Sequence, residues 1–226
     1  MAGRSIIVTG GFGALGRVVA AAFAAEGDRV ARVDHATQAP DGGAMLDIGG
    51  VDLTDGAAAA TVVEQVLAAH GGIDILINIA GGFTWETLAD GDLDSWQRMF
   101  AMNVATAATI TKAALPSLLS ATAGRIVNIG AGAAIRSEVG MGAYAASKAG
   151  VHRLTESLAA ELAGTPVTVN AVLPSIIDTP GNRAAMPDAD TAAWVKPEAI
   201  ADVILFLASP AARAISGALI PVTRGS

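Results

Sequence analysis

A glycine-rich turn near the N-terminus constrains the fold of this chain more than any other feature. Residues 9–16, TGGFGALG, follow the apolar run at residues 6–8 and lead into an alanine-rich helical stretch. Glycines permit a tight turn and let backbone amides come close to phosphate oxygens. The start of the following helix favours an anion through its dipole. A strand, this turn and a helix in that order predict a parallel α/β sheet that binds a dinucleotide at its first turn.

Strand and helix patterns alternate along the rest of the chain. Strands that are apolar on both faces and are separated by helices indicate a parallel sheet covered on both sides. With right-handed crossovers, this pattern predicts one α/β domain over residues 1–226, with a Rossmann-type, doubly wound parallel sheet of about seven strands and helices on both faces. The stretch at 174–196 is expected to be an irregular loop. The predicted strands are 5–9, 29–34, one within 44–53, 73–78, 125–129, 167–172 and 218–222, and the predicted helices are 14–26, 55–70, 94–119, 143–163 and 198–208.

The composition indicates a large core and excludes several classes of site. Of the 226 residues, 52% are hydrophobic and 15% are charged, with a formal net charge of -7. The negative charge argues against nucleic acid or an anionic membrane surface as a partner. The lack of cysteine excludes disulfides and cysteine-based zinc sites. Because His35, His70 and His152 lie far apart in sequence, no metal site is expected.

The ends and the apolar content of the chain predict its location and assembly. The N-terminus enters a predicted strand at once, without a signal peptide. There is no run of about 18 apolar residues that would cross a membrane. We therefore expect a cytoplasmic protein without a membrane partner. The high apolar content then predicts helices buried between subunits of a homo-oligomer.

A carboxylate follows the second predicted strand, where dinucleotide-binding sheets contact the adenosine ribose. Asp34 lies about 18 residues after Gly16, the last glycine of the turn. A carboxylate there accepts hydrogen bonds from the ribose hydroxyls and repels a 2′-phosphate. NAD is therefore predicted as the cofactor in preference to NADP. Two alternatives stay open: Arg17 or Arg32 approaches a phosphate, or Asp34 is only a solvated turn residue.

The chain contains a single tyrosine, and a lysine follows it four residues later. This spacing places Tyr144 and Lys148 on one face of a helix, roughly 5–6 Å apart at Cβ. A nearby ammonium stabilises a phenolate and lowers the tyrosine pKa, so that the phenol can exchange a proton near neutral pH. The pair predicts acid–base catalysis that accompanies hydride transfer. A chance pair on a helix surface is the alternative.

Together these segments resemble the short-chain dehydrogenase/reductase family, and the resemblance covers essentially the whole chain. Residues 9–16 match the T-G-x-x-x-G-x-G cofactor turn of that family, with Ala14 in place of its middle glycine. Asp52-Leu53 resembles a segment of the family that touches adenine. Residues 78–81 resemble its N-N-A-G segment, with Ile79 as a departure. The other matches are Asn103, the pair Tyr144 and Lys148, and Pro174-Ser175 with Thr179, where Ser175 replaces a glycine.

The resemblance implies a role for each matching residue. It implies an NAD(H)-dependent oxidoreductase that transfers hydride between the nicotinamide and a small carbonyl or alcohol substrate. Tyr144 would supply or remove the proton, Lys148 would lower its pKa and hold the ribose, and Asn103 would position a water that links Lys148 to solvent. The residues expected to contact the cofactor are Gly10, Gly11, Phe12, Gly13, Ala14, Leu15, Gly16, Asp34, Asp52, Leu53, Asn78, Ala80, Gly81, Tyr144, Lys148, Pro174 and Thr179.

One position departs from the family in a way that concerns the chemistry. The family has a serine 13 residues before the tyrosine that hydrogen-bonds the substrate carbonyl, and this chain has Ala131 there. Loss of such a donor costs about 10²–10³ in rate where the reaction needs it. Three interpretations stay open. The substrate does not need the donor, or Ser137 or Ser175 replaces it, or the protein binds NAD without turning it over.

Dihydropteridine reductases, a subgroup of the family, offer a precedent for the first interpretation. This chain resembles them in the turn at 10–16, in the A-G-G segment at 80–82, in the alanine at the serine position and in residues 173–194. They use NADH to reduce quinonoid dihydropterin, an electron-poor acceptor that needs less carbonyl polarisation. Asn78 and Asn103 resemble the wider family instead. We therefore place carbonyl or alcohol chemistry first and pterin reduction second.

Ala131 and Trp194 are the residues expected at the substrate. Trp194 lies in the segment predicted to cover the cofactor face, and Trp85 and Trp96 are further candidates for lining the cleft. In the family, helices equivalent to residues 95–119 and 143–163 form a four-helix bundle across a two-fold axis. We therefore expect a homodimer or a homotetramer. Three residues near Asn103 are expected to pack in the core or in an interface, namely Met99, Phe100 and Met102.

Overall fold

A parallel sheet organises the chain, as the alternating pattern predicts. A computed structural model describes residues 3–40 and 45–224, and these residues form seven parallel strands in the order β3-β2-β1-β4-β5-β6-β7. Residue 44, at the start of the predicted third-strand region, lies outside the described residues. The predicted doubly wound α/β fold is confirmed. The strands are β1 (Ser5–Thr9), β2 (Arg29–Val33), β3 (Leu46–Ile48), β4 (Ile75–Asn78), β5 (Arg125–Ile129), β6 (Thr168–Pro174) and β7 (Leu219–Val222).

Helices cover both faces of this sheet. In the part of the chain that the structure describes, no helix is long and apolar enough to cross a membrane. The helices are α1 (Ala14–Ala25), α2 (Gly56–His70), α3 (Asp94–Phe100), α4 (Thr106–Ser120), α5 (Gly142–Glu161), α6 (Pro180–Ala185) and α7 (Pro197–Leu207).

Two predicted segments differ in the structure. The single helix predicted at 94–119 consists of α3 and α4, joined by a π-helical turn at Ala101–Ala105. Such turns insert one extra residue, which the apolar periodicity does not reveal, and they occur frequently at functional sites. The segment at 174–196, predicted to be irregular, contains α6. The Thr179 hydroxyl starts that helix by accepting a hydrogen bond from Asn182 N (3.2 Å).

The core has two layers because successive side chains of β1 point to opposite faces of the sheet. Ile6 and Val8 pack on one face, with α1 and α7. Ile7 packs on the other face, with α2, α4 and α5. The strand order reverses between β1 and β4. The carboxyl ends of these two strands therefore border the crevice in which doubly wound sheets bind their ligands.

Candidate active site

The glycine-rich turn closes tightly against the loop that follows β4. Gly10 has φ +65°, which favours glycine, and a Cβ added there would lie 2.9 Å from Ala80 N. A Cβ added to Gly16 would overlap the Gly10 carbonyl oxygen. Gly13 N donates to that oxygen at 3.1 Å. The turn keeps its shape because its glycines carry no side chains at these contacts.

Polar side chains at the ends of β1 and β2 hold the turn in place. The Thr9 hydroxyl accepts hydrogen bonds from Ile79 N and Ala80 N, both at 3.1 Å. The Asp34 carboxylate accepts hydrogen bonds from Phe12 N (2.9 Å) and from the amide of residue 36 (3.0 Å). Asp34 therefore organises the turn in addition to its predicted contact with the ribose. Two carboxylate oxygens leave acceptor capacity for both tasks.

Arg32, a candidate phosphate partner in the sequence, is bound to β3. Its side chain is 3% exposed, and its Nε and Nη2 donate to the Asp47 carboxylate at 2.7 and 2.9 Å. The two residues are register partners on neighbouring strands. The guanidinium also lies 5.7 Å from the centre of the Phe12 ring. These contacts hold the Arg32 side chain against β3.

A cavity of about 820 Å³ lies at the carboxyl ends of the central strands. Most of the predicted cofactor residues line it, namely Gly10, Phe12, Gly13, Ala14, Leu15, Gly16, Asp34, Asp52, Leu53, Ala80, Gly81 and Thr179. Hydrogen bonds from the Thr54 hydroxyl and amide lower the pKa of Asp52. Sequence reasoning missed several lining residues, most of them neighbours of predicted ones: His35, Ala36, Val51, Thr54, Ile79, Met102 and Thr106.

Five predicted cofactor residues do not line this cavity: Gly11, Asn78, Pro174 and the pair Tyr144 and Lys148. Gly11 packs against β2, where an added Cβ would lie 2.6 Å from the Arg32 Cβ. The Asn78 amide donates to Thr111 Oγ1 (3.1 Å) and to an amide oxygen on β5 (2.9 Å). Pro174 is buried at the end of β6. The placement of Gly11 and Asn78 indicates support of the turn and the sheet.

Asn103 lies in the π-helical turn and connects the loop after β4 with α5. Its side chain bonds both backbone groups of Gly82, accepting from N and donating to O at 3.1 Å each. It also donates to Ser147 Oγ (3.0 Å), and that hydroxyl donates to the Tyr144 carbonyl (2.7 Å). This network holds the first turn of α5 against the loop. The role of Asn103 in positioning a water stays a prediction.

Tyr144 and Lys148 lie on α5 with their charged forms disfavoured by burial. Lys148 Nζ donates to the Ile129 carbonyl at 2.8 Å, and burial lowers the pKa of Lys148 to about 8. Burial raises the pKa of Tyr144 to about 12. The predicted lowering of the Tyr144 pKa by Lys148 is therefore wrong for this arrangement. Removal from water disfavours the phenolate more than the ammonium stabilises it.

Ala131 is buried at the end of β5, and a histidine lies behind it. Ala131 N donates to His152 Nε2 at 3.4 Å, a long hydrogen bond. A Cβ added to Gly130 would lie 2.5 Å from the same nitrogen. Burial lowers the pKa of His152, which favours the neutral imidazole that can accept this bond. Sequence reasoning missed His152, although its position four residues after Lys148 places it on the same face of α5.

The two serines predicted as substitutes for the missing hydroxyl lie on exposed loops. Ser137 Oγ donates to the carbonyl of the next residue at 3.4 Å. Ser175 is exposed directly after β6, and its amide donates to the Val222 carbonyl at 3.1 Å. Neither contact directs a hydroxyl towards Tyr144, so their role as substitutes stays a prediction.

Phe83, which sequence reasoning missed, contacts the candidate proton donor. Its ring centre lies 4.9 Å from that of Tyr144, and the ring planes meet at 78°, an edge-to-face arrangement. The two residues are far apart in the chain, and no local pattern predicts their contact.

The tryptophans and methionines are placed at different depths. Trp194 is buried below the surface of the loop after β6, and Trp85 packs on the loop before α5. Trp96 borders a second cavity, of about 220 Å³, beside the starts of α3 and α5.

Met99 is buried, as expected for core packing. Met102 is 42% exposed and lines the large cavity, which corrects its expected place in the core, whereas its place in an interface stays a prediction.

Comparison with known proteins agrees with the fold and the motifs. The chain matches the short chain dehydrogenase family over residues 4–190. It is 33% identical to the 2-(S)-hydroxypropyl-CoM dehydrogenase 3 of Xanthobacter autotrophicus, over 97% of this chain and 95% of that protein. The structure is similar to the ligand-free aldohexose dehydrogenase of Thermoplasma acidophilum, with a TM-score of 0.90 and 27% identity over 99% of this chain and 93% of that one. It is also similar to the 3-ketoacyl-(acyl-carrier-protein) reductase from Brucella melitensis complexed with NADH, with a TM-score of 0.86 and 26% identity over 97% and 96% of the two chains.

Proposed function

The chain belongs to the short-chain dehydrogenase/reductase family, and on that premise we propose an NAD(H)-dependent oxidoreductase that acts on small carbonyl or alcohol substrates. One juxtaposition carries the proposal, since the candidate acid–base pair adjoins the wall of the large cavity. A Cβ added to Gly81, which lines that cavity, would lie 3.5 Å from Lys148 Nζ. The cavity also fits a dinucleotide, with a turn of backbone amides and the Asp34 carboxylate at its edge.

The residues on α5 would handle the proton while the nicotinamide, when bound, supplies or accepts the hydride. A pKa of about 12 keeps the Tyr144 phenol protonated at neutral pH. In carbonyl reduction, the phenol therefore donates its proton to the substrate oxygen. In alcohol oxidation, Tyr144 must first lose this proton, a loss that burial opposes at neutral pH. Carbonyl reduction is thus favoured at neutral pH and alcohol oxidation at alkaline pH.

Two contacts support NAD as the preferred cofactor. Asp34 lines the cavity and places a negative charge where a 2′-phosphate would otherwise lie. Arg32, which would favour that phosphate, is ion-paired with Asp47 at 2.7 Å. NADP is the less favoured alternative, and the exposed Arg17 is the residue that would serve it.

The direct test of this function is the oxidation of NADH and NADPH by the purified protein with a panel of ketones, followed by the reverse reaction with the matching alcohols. We expect turnover in both directions, with a higher kcat/KM for NADH. A preference for NADPH would contradict the assignment of Asp34. Binding of NADH without turnover on any acceptor would favour a non-catalytic NAD-binding protein, an alternative that Ala131 motivates.

Ala131 also motivates a second enzymatic candidate, the reduction of quinonoid dihydropterin by NADH. An electron-poor acceptor needs less polarisation by a hydroxyl at the end of β5, where this chain has a buried methyl group. NADH oxidation with quinonoid dihydropterin, corrected for the uncatalysed reaction, separates the two candidates. Saturable turnover that exceeds turnover with every ketone would favour the pterin reaction.

We further propose a cytoplasmic homodimer or homotetramer that pairs through α3, α4 and α5, which contain the two segments predicted to form the interface. Phe100 on α3 and Leu119 on α4 both expose large apolar side chains. Light scattering of the purified protein measures the assembly. A monomer at micromolar concentration would contradict this part of the proposal.

A further inference from the structure

The loop after β4 carries an aromatic side chain that packing leaves largely uncovered. Phe83 is 56% exposed, although its ring packs against the ring of Tyr144. The backbone just before Phe83 is fixed, because both polar groups of Gly82 are hydrogen-bonded to Asn103. A firmly held aromatic ring beside the candidate proton donor is placed to contact whatever binds the Tyr144 hydroxyl.

Two more apolar side chains stand on the neighbouring loops. Ile135 follows β5 and is 67% exposed, and Ile176 follows β6 and is 43% exposed. The strands β4, β5 and β6 are neighbours and parallel, so the loops after them meet at one edge of the sheet. The loops approach closely there, since a Cβ added to Gly132 would lie 3.7 Å from the Pro174 carbonyl oxygen.

Charged groups near these loops include an ion pair after β6 and the exposed Arg136, which directly follows Ile135. Asp178 lies two residues after Ile176, and its carboxylate accepts two hydrogen bonds from Arg183, at 2.6 and 2.8 Å. A guanidinium committed to a bidentate pair has less capacity to bind a substrate carboxylate. Neither Asp178 nor Arg183 is therefore expected to bind an anionic substrate.

We propose that Phe83, Ile135 and Ile176 form an apolar wall beside Tyr144, and that the substrate is a secondary alcohol or ketone with an uncharged apolar group on its carbinol or carbonyl carbon. This inference rests on the proposed function. Oxidation transfers the carbinol hydrogen as hydride to NAD⁺ and the hydroxyl proton to the Tyr144 phenolate, and leaves the ketone, NADH and the neutral phenol. A substrate oxygen bonded to the Tyr144 hydroxyl brings the adjacent substituent within reach of Phe83.

The physical reason is the different cost of burying the two kinds of substituent. An apolar group gains about 25 cal/mol for each Å² that it removes from water against the Phe83 ring. A carboxylate against that ring loses hydration, and the ring itself offers no positive charge in return. The wall therefore selects on the substituent, whereas Tyr144 acts on the oxygen that all such substrates share.

Three secondary alcohols that share a methyl group test this selection: methyl phenyl carbinol, isopropanol and lactate. We expect the highest kcat/KM with NAD⁺ for the phenyl compound and the lowest for lactate. Phe83→Ala should lower the ratio of kcat/KM for the phenyl compound over isopropanol by about tenfold, because about 1.4 kcal/mol of contact with the phenyl group is lost. Phe206→Ala is the matched control, since Phe206 is similarly exposed on α7.

The outcomes separate this inference from the proposed function. A phenyl preference that Phe83→Ala reduces, with unchanged NADH affinity, supports the wall. Lactate as the best substrate, or an undiminished phenyl preference in Phe83→Ala, overturns it. If the wild-type protein oxidises none of the three alcohols, calorimetric titration of acetophenone and pyruvate into the NADH-loaded protein decides. Acetophenone binding that needs Phe83 supports the wall although the alcohol chemistry fails. Absence of acetophenone binding overturns the wall alone, because the panel of ketones and alcohols tests the proposed function separately.

Discussion

The two halves of the candidate site are built by opposite means. The cofactor half depends on side chains that are missing, since Gly10 and Gly16 have no room for a Cβ. The catalytic half depends on side chains that are present, since Asn103, Ser147 and Lys148 each hold a backbone group or one another through hydrogen bonds. Added atoms should therefore damage the first half, and removed atoms should damage the second.

The largest effect is expected from the removal of one oxygen in the catalytic half. Tyr144→Phe should lower kcat by about 10²–10⁴, because no phenol remains to transfer the proton. NADH binding, measured by fluorescence titration, should be unchanged because the cavity lining stays intact. If the variant kept most of the wild-type turnover, Tyr144 would not be the proton donor, and the view that the catalytic half depends on its side chains would be contradicted.

The pH dependence of the free energy of unfolding tests Lys148, which belongs to the same half. Its folded pKa of about 8 lies below its ordinary value of 10.5, so the unfolded chain binds the extra proton between these pH values. Stability should therefore rise by about 3 kcal/mol as the pH increases from 8 to 10.5, and this gain should be lost as the pH falls back from 10.5 to 8.

Urea unfolding of wild type and Lys148→Met between pH 7 and pH 10.5 measures this effect. The variant has no ammonium to desolvate, so the difference between the two proteins should change across the window in which Lys148 titrates. Parallel pH curves for the two proteins would show that burial does not shift the lysine.

Adding one carbon to the cofactor half is the converse experiment. Gly16→Ala should weaken NADH binding by roughly tenfold to a hundredfold, because the new Cβ overlaps the Gly10 carbonyl and displaces the turn, at about 1–3 kcal/mol. Gly56→Ala at the start of α2 is the control, since a Cβ there meets open space. Equal NADH affinity in the two variants would contradict the view that the turn depends on absent side chains.

The smallest expected effect concerns the charge of Asp34. Asp34→Asn keeps an oxygen that can accept from Phe12 N and removes the charge that repels a 2′-phosphate. We expect the ratio of kcat/KM for NADH over NADPH to fall by about tenfold, with little change in thermal stability, since about 1.4 kcal/mol corresponds to a factor of ten. An unchanged ratio would mean that Asp34 serves only the turn.

The cofactor half was the more predictable of the two because its determinants are local. The order of strand, glycine turn and helix at residues 5–25 lies within one stretch of sequence, and the position of Asp34 follows from the end of β2. The family resemblance of residues 78–81 also placed Asn78 at the cofactor. In the structure the Asn78 side chain donates hydrogen bonds to side chains on α4 and β5. Its direction therefore depends on how those two elements pack against β4.

The catalytic half was predictable only in its residue types. The i, i+4 spacing determined that Tyr144 and Lys148 share a face of α5, but burial decided the direction of both pKa shifts. The predicted lowering of the Tyr144 pKa was wrong because desolvation outweighs the neighbouring charge.

The sequence by itself determined the α/β class, the family, the glycine turn and the placement of Tyr144 and Lys148 on one face of a helix. Periodicity, glycine positions and helical spacing act over a few residues, so they can be recognised in one dimension. Only the tertiary structure decided that Arg32 pairs with Asp47 across two strands, that a π-helical turn presents Asn103 to Gly82, and that Phe83 meets Tyr144. These contacts join residues that are distant in the chain, and they exist because close packing of the sheet and its loops leaves the side chains no other arrangement.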